Sequence, residues 1–260
     1  MSLLQVDRLG INFGGLSAVE DLTFAVPHGR IYSIIGPNGA GKTTLFNMIS
    51  GIYRPGHGRI RFDGQDVTNH EPHQLARAGV SRTFQNLQVF FRLSVLENVM
   101  VGRHLHEPKG VLAHALRLPL VRKANAECAA KARQFLEFVG LGDVDRVAGG
   151  LPYGALKRLE IARALASEPK LLLLDEPAAG CNPVETEEID GLIQQIARKG
   201  TTVVLVEHDM KLVMKISDRI LVLDRGRKLA EGSAGEVRNN PDVIRAYLGS
   251  HGQEAARAQS

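Results

Sequence analysis

The chain has 260 residues, 44% of them hydrophobic and 23% charged, the balance of a soluble globular protein with ample core. A formal net charge of +4 without any long block of like charge gives no support to nucleic acid as a main partner. Only two cysteines occur, Cys128 and Cys181, which argues against a disulfide framework and for a reducing compartment. No apolar run nears the roughly 20 residues that span a bilayer, and the start lacks a signal-peptide pattern, so any membrane role is expected to run through partners.

In chain order, Leu4–Leu9, Leu22–Val26 and Arg59–Phe62 alternate polar and apolar residues. Turn pairs such as Gly14-Gly15 and Asp63-Gly64 separate or end them, which predicts antiparallel strands solvated on one face. Between them Arg30–Ile35 is a short, apolar, β-branched run that reads as a buried strand, and Thr44–Ile49 begins a helix. Joining these two is Gly36-Pro37-Asn38-Gly39-Ala40-Gly41-Lys42-Thr43, an unbroken match to G-x-x-x-x-G-K-[ST]. Its glycines let successive N–H groups turn inward toward phosphate oxygens. Lys42 can neutralise the β- and γ-phosphates, the Thr43 hydroxyl can ligate Mg²⁺, and the helix that follows directs its positive end at the same phosphates. A Gly-rich turn that binds nothing is the alternative, but the pattern arises by chance in only about one such chain in a hundred. The expected ligand is a nucleoside triphosphate.

From Leu93 to Gly140 the strand signals vanish, and Val121–Val139, Ala-rich with apolar residues at helical spacing, predicts a helical subdomain. The stretch 103–119, with three His, two Pro and a Gly, reads as a helix-bearing connection. After Leu156 helices and strands alternate: Lys157–Ala166 helical, Leu171–Leu174 a strand, Glu185–Lys199 helical, Thr201–Val206 a strand. Ile220–Leu223 and Arg227–Ala230 then surround the turn Asp224-Arg225-Gly226. Such alternation implies a mostly parallel sheet covered by helices. The tail 250–260 is polar and Ala-rich and is expected to fray, and the chain carries no internal repeat.

Three further positions carry chemistry. Leu171–Leu174 runs into Asp175-Glu176-Pro177, so two carboxylates sit at the carboxyl end of a buried strand, where open α/β proteins bind ligands. Asp175 can hold Mg²⁺, and Glu176 can accept a proton from a water attacking the γ-phosphate; an acidic turn is the plainer reading. Gln85, at the boundary of the helical subdomain, can reach the metal or the attacking water, or is a surface glutamine. His208 closes the next apolar strand, beside the expected γ-phosphate, where it can hydrogen-bond that phosphate and orient the water.

In this order, the phosphate loop, Gln85, Asp175-Glu176 and His208, together with Leu151-Pro152-Tyr153-Gly154 ahead of the Asp175 strand, resemble the ATP-binding subunits of ABC transporters. The resemblance covers roughly Leu3–Gly249. It implies an α/β phosphate-loop NTPase with a mostly parallel core sheet, an N-terminal antiparallel β part and a helical subdomain. One domain would span 1–249, its core from 1–86 and 157–249 and its helical part from 87–156. Two subunits would pack head to tail, each ATP held between the loop of one (Gly36 through Thr43, with Thr44) and the signature segment of the other, here Leu151, Tyr153 and Gly154. Phe13 resembles the aromatic that stacks on adenine, with a core Phe as the alternative.

The departures are specific. The family's usual signature is Leu-Ser-Gly-Gly-Gln, whereas this chain has Leu151-Pro152-Tyr153-Gly154-Ala155. Pro152 lacks the hydroxyl that would meet the γ-phosphate and Ala155 lacks the amide, so weaker contacts across the pair are expected. The helix that follows, with Lys157 and Arg158, still directs its dipole at the triphosphate. Asn182 takes an aspartate's place without its charge. Tyr153-Gly154, Pro177-Ala178-Ala179-Gly180, Glu207–Lys211 and Asn239–Gly249 resemble the bacterial importer branch for branched-chain and related hydrophobic amino acids, amides or urea.

That branch implies an ATPase using ATP and Mg²⁺ on the cytoplasmic face of the inner membrane. Its partners would be a second ATPase subunit, related or identical, two transmembrane permeases and, indirectly, a periplasmic solute-binding protein, with no nucleic acid. The rival readings are an exporter motor for lipid or lipopolysaccharide and, from another class, a soluble ABC-type ATPase. His104, His106 and His114 show no metal-site spacing. Phe90-Phe91 can meet a cytoplasmic helix of a membrane partner or pack in the core.

Overall fold

Polar and apolar alternation builds the first sheet. Strands β1 (Ser2–Phe13), β2 (Leu16–Pro27), β4 (His57–Phe62) and β5 (Gln65–Asp66) pair antiparallel in the order β2-β1-β4-β5 in the computed structural model. This structure describes residues 2–106 and 119–247, with the side chains of 106 and 119–122 left aside. Most of the 103–119 connection and the 250–260 tail lie outside the described residues. In β2 the residues Val19, Leu22, Phe24 and Val26 point inward while their neighbours stay exposed or half-buried. β1 runs beyond its expected end at Leu9 because the register shifts between Val6 and Leu9, where Arg8 has φ +44°, and pairing resumes beyond the irregularity.

The second sheet has the order β10-β9-β3-β8-β7-β6. It comprises β3 (Ile31–Ile35), β6 (Val80–Arg82), β7 (Leu171–Asp175), β8 (Thr202–Val206), β9 (Arg219–Asp224) and β10 (Arg227–Gly232). Neighbours from β9 through β6 are parallel, and β10 closes the edge as an antiparallel hairpin. Every residue of β3, β7 and β8 is buried because the sheet is covered on both faces. Tyr32, Ile34, Leu171, Leu173, Val204 and Val206 face a core shared with the antiparallel sheet and helix α1 (Lys42–Ile49). Ile31, Ile35, Leu172, Leu174, Val203 and Leu205 face a second core.

That second core holds α3 (Val95–Gly102), α4 (Pro119–Phe138), α5 (Tyr153–Leu165) and α6 (Pro183–Arg198). The shorter helices are α2 (Pro72–Ala78), α7 (Met210–Ile216) and α8 (Ala234–Arg238), and residues 241–247 are again helical.

Helix α5 begins at Tyr153 rather than at Lys157, because Pro152 takes the cap position with extended backbone and its carbonyl accepts from the Leu156 N–H at 3.0 Å. Strand β6 shows no sequence signal, since only Val80 of its three residues is buried. Parallel order brings the carboxyl ends of β3, β8, β7 and β6 to one edge, where the phosphate loop, His208, Asp175 and Arg82 emerge. Leu173→Ala, in the middle of β7, is expected to lower stability by about 2–5 kcal/mol through the cavity it leaves, read as a drop in the urea unfolding midpoint.

Candidate nucleotide site

The phosphate loop depends on backbone that only glycine allows at Gly41. This residue has φ +97°, and a Cβ there would lie 2.5 Å from the Ala18 carbonyl oxygen of β2. As the cap of α1, Gly41 offers no side chain, and the first turn has no acid, so the helix's leading N–H groups are left for an anion. The β9–β10 turn braces the loop through the Gly226 N–H, which donates to the Ala40 carbonyl at 3.0 Å. Lys42 Nζ donates to the carbonyls of Gly36 (2.6 Å) and Pro37 (3.0 Å), which keeps the ammonium over the loop. Burial pulls its pKa below the ordinary lysine value, against the opposing charges of Glu176 and Asp175. Asn38, Gly39 and Thr43 are exposed; Pro37 and Thr44 are half-buried.

Asp175 is buried at the end of β7, where Arg82 Nη2 donates to Oδ2 at 3.0 Å. Burial pushes its carboxyl up from the usual carboxylate range, and the Arg82 hydrogen bond and charge work against that rise. Arg82 also donates to Asn47 Oδ1 (2.8 Å) on α1 and to Ser50 Oγ (2.7 Å), with its guanidinium over the rings of Phe46 and Phe84. One arginine therefore ties β6, β7 and α1 together beneath the loop. Sequence reasoning misses it because its carboxylate partner lies 93 residues away.

Glu176, Gln85 and His208 come together. Gln85 Nε2 donates to Glu176 Oε2 at 3.3 Å, and His208 Nδ1 lies 3.8 Å from Glu176 Oε1. Glu176 has φ +48°, a strained region for a non-glycine residue, held by its N–H donating to the Val206 carbonyl at 3.0 Å. Beneath His208 lies Glu207, only 2% exposed, which accepts from the N–H groups of Ala178 (3.4 Å) and His208 (3.2 Å). It fixes the loop after Glu176 relative to the His208 strand end. Burial raises its pKa above the ordinary range. Its place in the sequence, one residue before a candidate histidine, conceals this bracing role.

Phe13 is 45% exposed at the tip of β1, which excludes the core reading, and meets Tyr53 edge-on with centroids 5.4 Å apart. The hairpin tip lies near the loop, since Phe13 pairs with Leu16 and Ala18 abuts Gly41. Tyr53, also exposed, is a second aromatic the sequence pattern does not single out. Leu151 packs on the core that holds α5. The Tyr153 ring lies against Gly180, and the Gly154 N–H donates to Glu185 Oε1 at 3.2 Å.

The side chains of Lys157 and Arg158 are held within the chain. Lys157 is buried with Nζ 3.5 Å from the Gln85 carbonyl, because the helix starts a turn earlier, and Arg158 pairs with Glu188 at 3.3 Å. Asn182 caps α6 with Oδ1, accepting from Val184 (2.9 Å) and Glu185 (3.0 Å), which needs no charge. Phe90 and Phe91 are both about half exposed, so neither fills the core.

This edge can bind a triphosphate on the loop and place a carboxylate, an amide and an imidazole around its terminal phosphate. The oxygen donors of Thr43, Asp175 and Gln85 are the hard set that suits Mg²⁺. Among the described residues no cluster of His, Cys, Asp and Glu marks another metal site.

The sequence profile of the family described as ABC transporter matches residues 19–179. The chain is 46% identical to the high-affinity branched-chain amino acid transport ATP-binding protein BraF of Pseudomonas aeruginosa, and 47% identical to its counterpart LivG of Escherichia coli. Each match covers 95% of this chain and 98% of the relative. The crystal structure of a nucleotide-free ATP-binding cassette from an ABC transporter superposes with a TM-score of 0.83 at 34% identity, covering 95% of this chain and 99% of that one. An ADP-bound cassette gives 0.84 at 34% identity, with 96% and 99% covered. The chain belongs to the ABC transporter family, as an ATP-hydrolysing ATP-binding subunit. A second profile, described as branched-chain amino acid ATP-binding cassette transporter, matches residues 227–252. No described helix is long and apolar enough to cross a membrane.

The raised pKa of Glu207 has a definite sign. The folded chain holds that proton more tightly than the unfolded one, so the contribution is full below about 4.3 and is lost as pH rises through the raised value. Glu207→Gln is expected to flatten that decline, with urea midpoints falling less between about pH 4 and about pH 8 than in the parent. Parallel curves would show that Glu207 titrates alike in both states.

Proposed function

We propose that this chain drives a bacterial importer for branched-chain or related hydrophobic amino acids from the cytoplasmic face of the inner membrane. The observation that carries the mechanism is the convergence of Gln85 and His208 on Glu176, at the sheet edge that also bears Lys42. The loop from Gly36 to Thr44 holds the triphosphate, and Phe13, with Tyr53 behind it, offers a face for the base. Thr43, Asp175 and Gln85 are the residues to hold Mg²⁺, which when bound supplies positive charge to the phosphates. Glu176 accepts the proton of the attacking water, His208 hydrogen-bonds the γ-phosphate, and Lys42 leaves its loop carbonyls to meet the developing charge.

Leu151, Tyr153 and Gly154 belong to the site of a second ATP-binding subunit packed head to tail. In this chain they contact Gly180, Glu185 and the core that holds α5. Two permeases and, through them, a solute-binding protein complete the assembly. A cleft of about 620 Å³ between β6 and the α3–α5 layer, lined by Leu75, Phe84, Phe90, Val101 and Arg163, suits an apolar helix of a permease. Binding of ATP closes the pair and hydrolysis reopens it, biasing the permeases between two states. The amino-acid transport names of relatives at 46–47% identity support this reading over a lipid exporter or a soluble ATPase.

Glu176→Gln is expected to keep ATP binding, to lower turnover by about 10²–10⁴-fold, and to leave an ATP-dependent dimer on gel filtration. Turnover at the parent rate would remove Glu176 from the mechanism.

A further inference from the structure

The Glu185 carboxylate is shared between two helices. Its Oε2 accepts from the Asn182 N–H at 3.0 Å, completing the reciprocal cap of α6. Its Oε1 accepts from the Gly154 N–H at 3.2 Å, in the first turn of α5. Helix α5 has no acid of its own in that turn and no side-chain cap from Pro152, so Glu185 supplies the negative charge that its N-terminal end favours. The approach is close: a Cβ at Gly154 would lie 2.6 Å from the carboxylate carbon. Next to this bond the Tyr153 ring rests on Gly180, in the loop that leads from Glu176 to α6.

We propose that Glu185 is a positioning residue that occupies, in the separated subunit, the Gly154 amide that must meet the γ-phosphate of a second subunit's ATP, so that closure replaces one anion by another. This rests on the head-to-tail pairing proposed above. One N–H cannot serve both anions in full, and a carboxylate beside an arriving γ-phosphate repels it. Closure therefore requires Glu185 to release Gly154. Because Glu185 also caps α6, its release is felt at Asn182 and along the loop back to Glu176 of the same subunit. Arrival of ATP on one side is thereby reported to the carboxylate on the other.

Glu185→Gln separates the two roles. Glutamine is as good a partner as glutamate in a reciprocal cap, but it has a single carbonyl oxygen and no charge. The Arg158–Glu188 pair at 3.3 Å continues to join α5 to α6. The experiment compares purified Glu176→Gln with purified Glu176→Gln/Glu185→Gln. It measures the ATP concentration for half-maximal dimer formation by light scattering, and thermal midpoints. We expect that concentration to fall about fivefold in the double variant, the difference between a charged and a neutral hydrogen bond, with the thermal midpoint kept. An equal or higher concentration overturns the role given to Glu185, and a lowered midpoint with weaker closure marks a purely structural residue. If neither protein forms an ATP-dependent dimer, the head-to-tail reading itself fails, and this proposal with it.

Discussion

Burial of the central strands on both faces is the constraint from which the rest of the molecule follows. In β3, β7 and β8 the apolar residues belong alternately to one core or the other, so the positions between the strand ends have no room for a charge. Polar chemistry is thereby driven to the carboxyl edge, where Gly36, Asp175-Glu176 and the Glu207-His208 pair follow directly on the last apolar residues. Parallel pairing then sets these ends side by side. The active edge is a boundary that the packing leaves open.

The electrostatics of that edge are those of a site built for a polyanion. Asp175 and Glu207 are both raised by burial, while Lys42 is pulled down by the same cause. Arg82 relieves Asp175, with its guanidinium over the rings of Phe46 and Phe84 and Nη1 donating to Asn47 on α1 and to Ser50 at its end. A buried pair of this kind adds less to stability than its distance suggests, because both charges lose water. Its service is geometric, since it fixes the last turn of the helix that follows the phosphate loop against the strand that carries the carboxylates.

How much of this was legible in the sequence depended on whether a residue's duty is local. The strand–loop–helix from Ile31 to Ile49 can be read because each loop position has its own stereochemical task, and the Asp175-Glu176 pair because it ends an apolar run. Phe13 is exposed, and Gln85 and His208 lie around Glu176, residues that the motifs single out in sequence order. Arg82, Glu207, Tyr53 and Glu185 were hidden, because their partners are distant in sequence or their importance lies in burial. The start of α5 was hidden for another reason: Pro152 caps without a side-chain signal, and Gly154 and Ala155 show no apolar stripe. Phe90 and Phe91 illustrate the converse, in that hydrophobicity alone does not say which aromatic residues the core will accept.

The two cores also divide the nucleotide machinery. Helix α1, which carries the phosphate loop, packs on the core shared with the antiparallel sheet, whereas α5, which carries Tyr153 and Gly154, packs on the other. The strands between them form a common wall with one bearing surface on each side. A ligand that pulls on α5 can reseat the helical layer on its surface without repacking the surface behind the phosphate loop. The phosphate loop and the helical layer thus bear on separate cores within one chain.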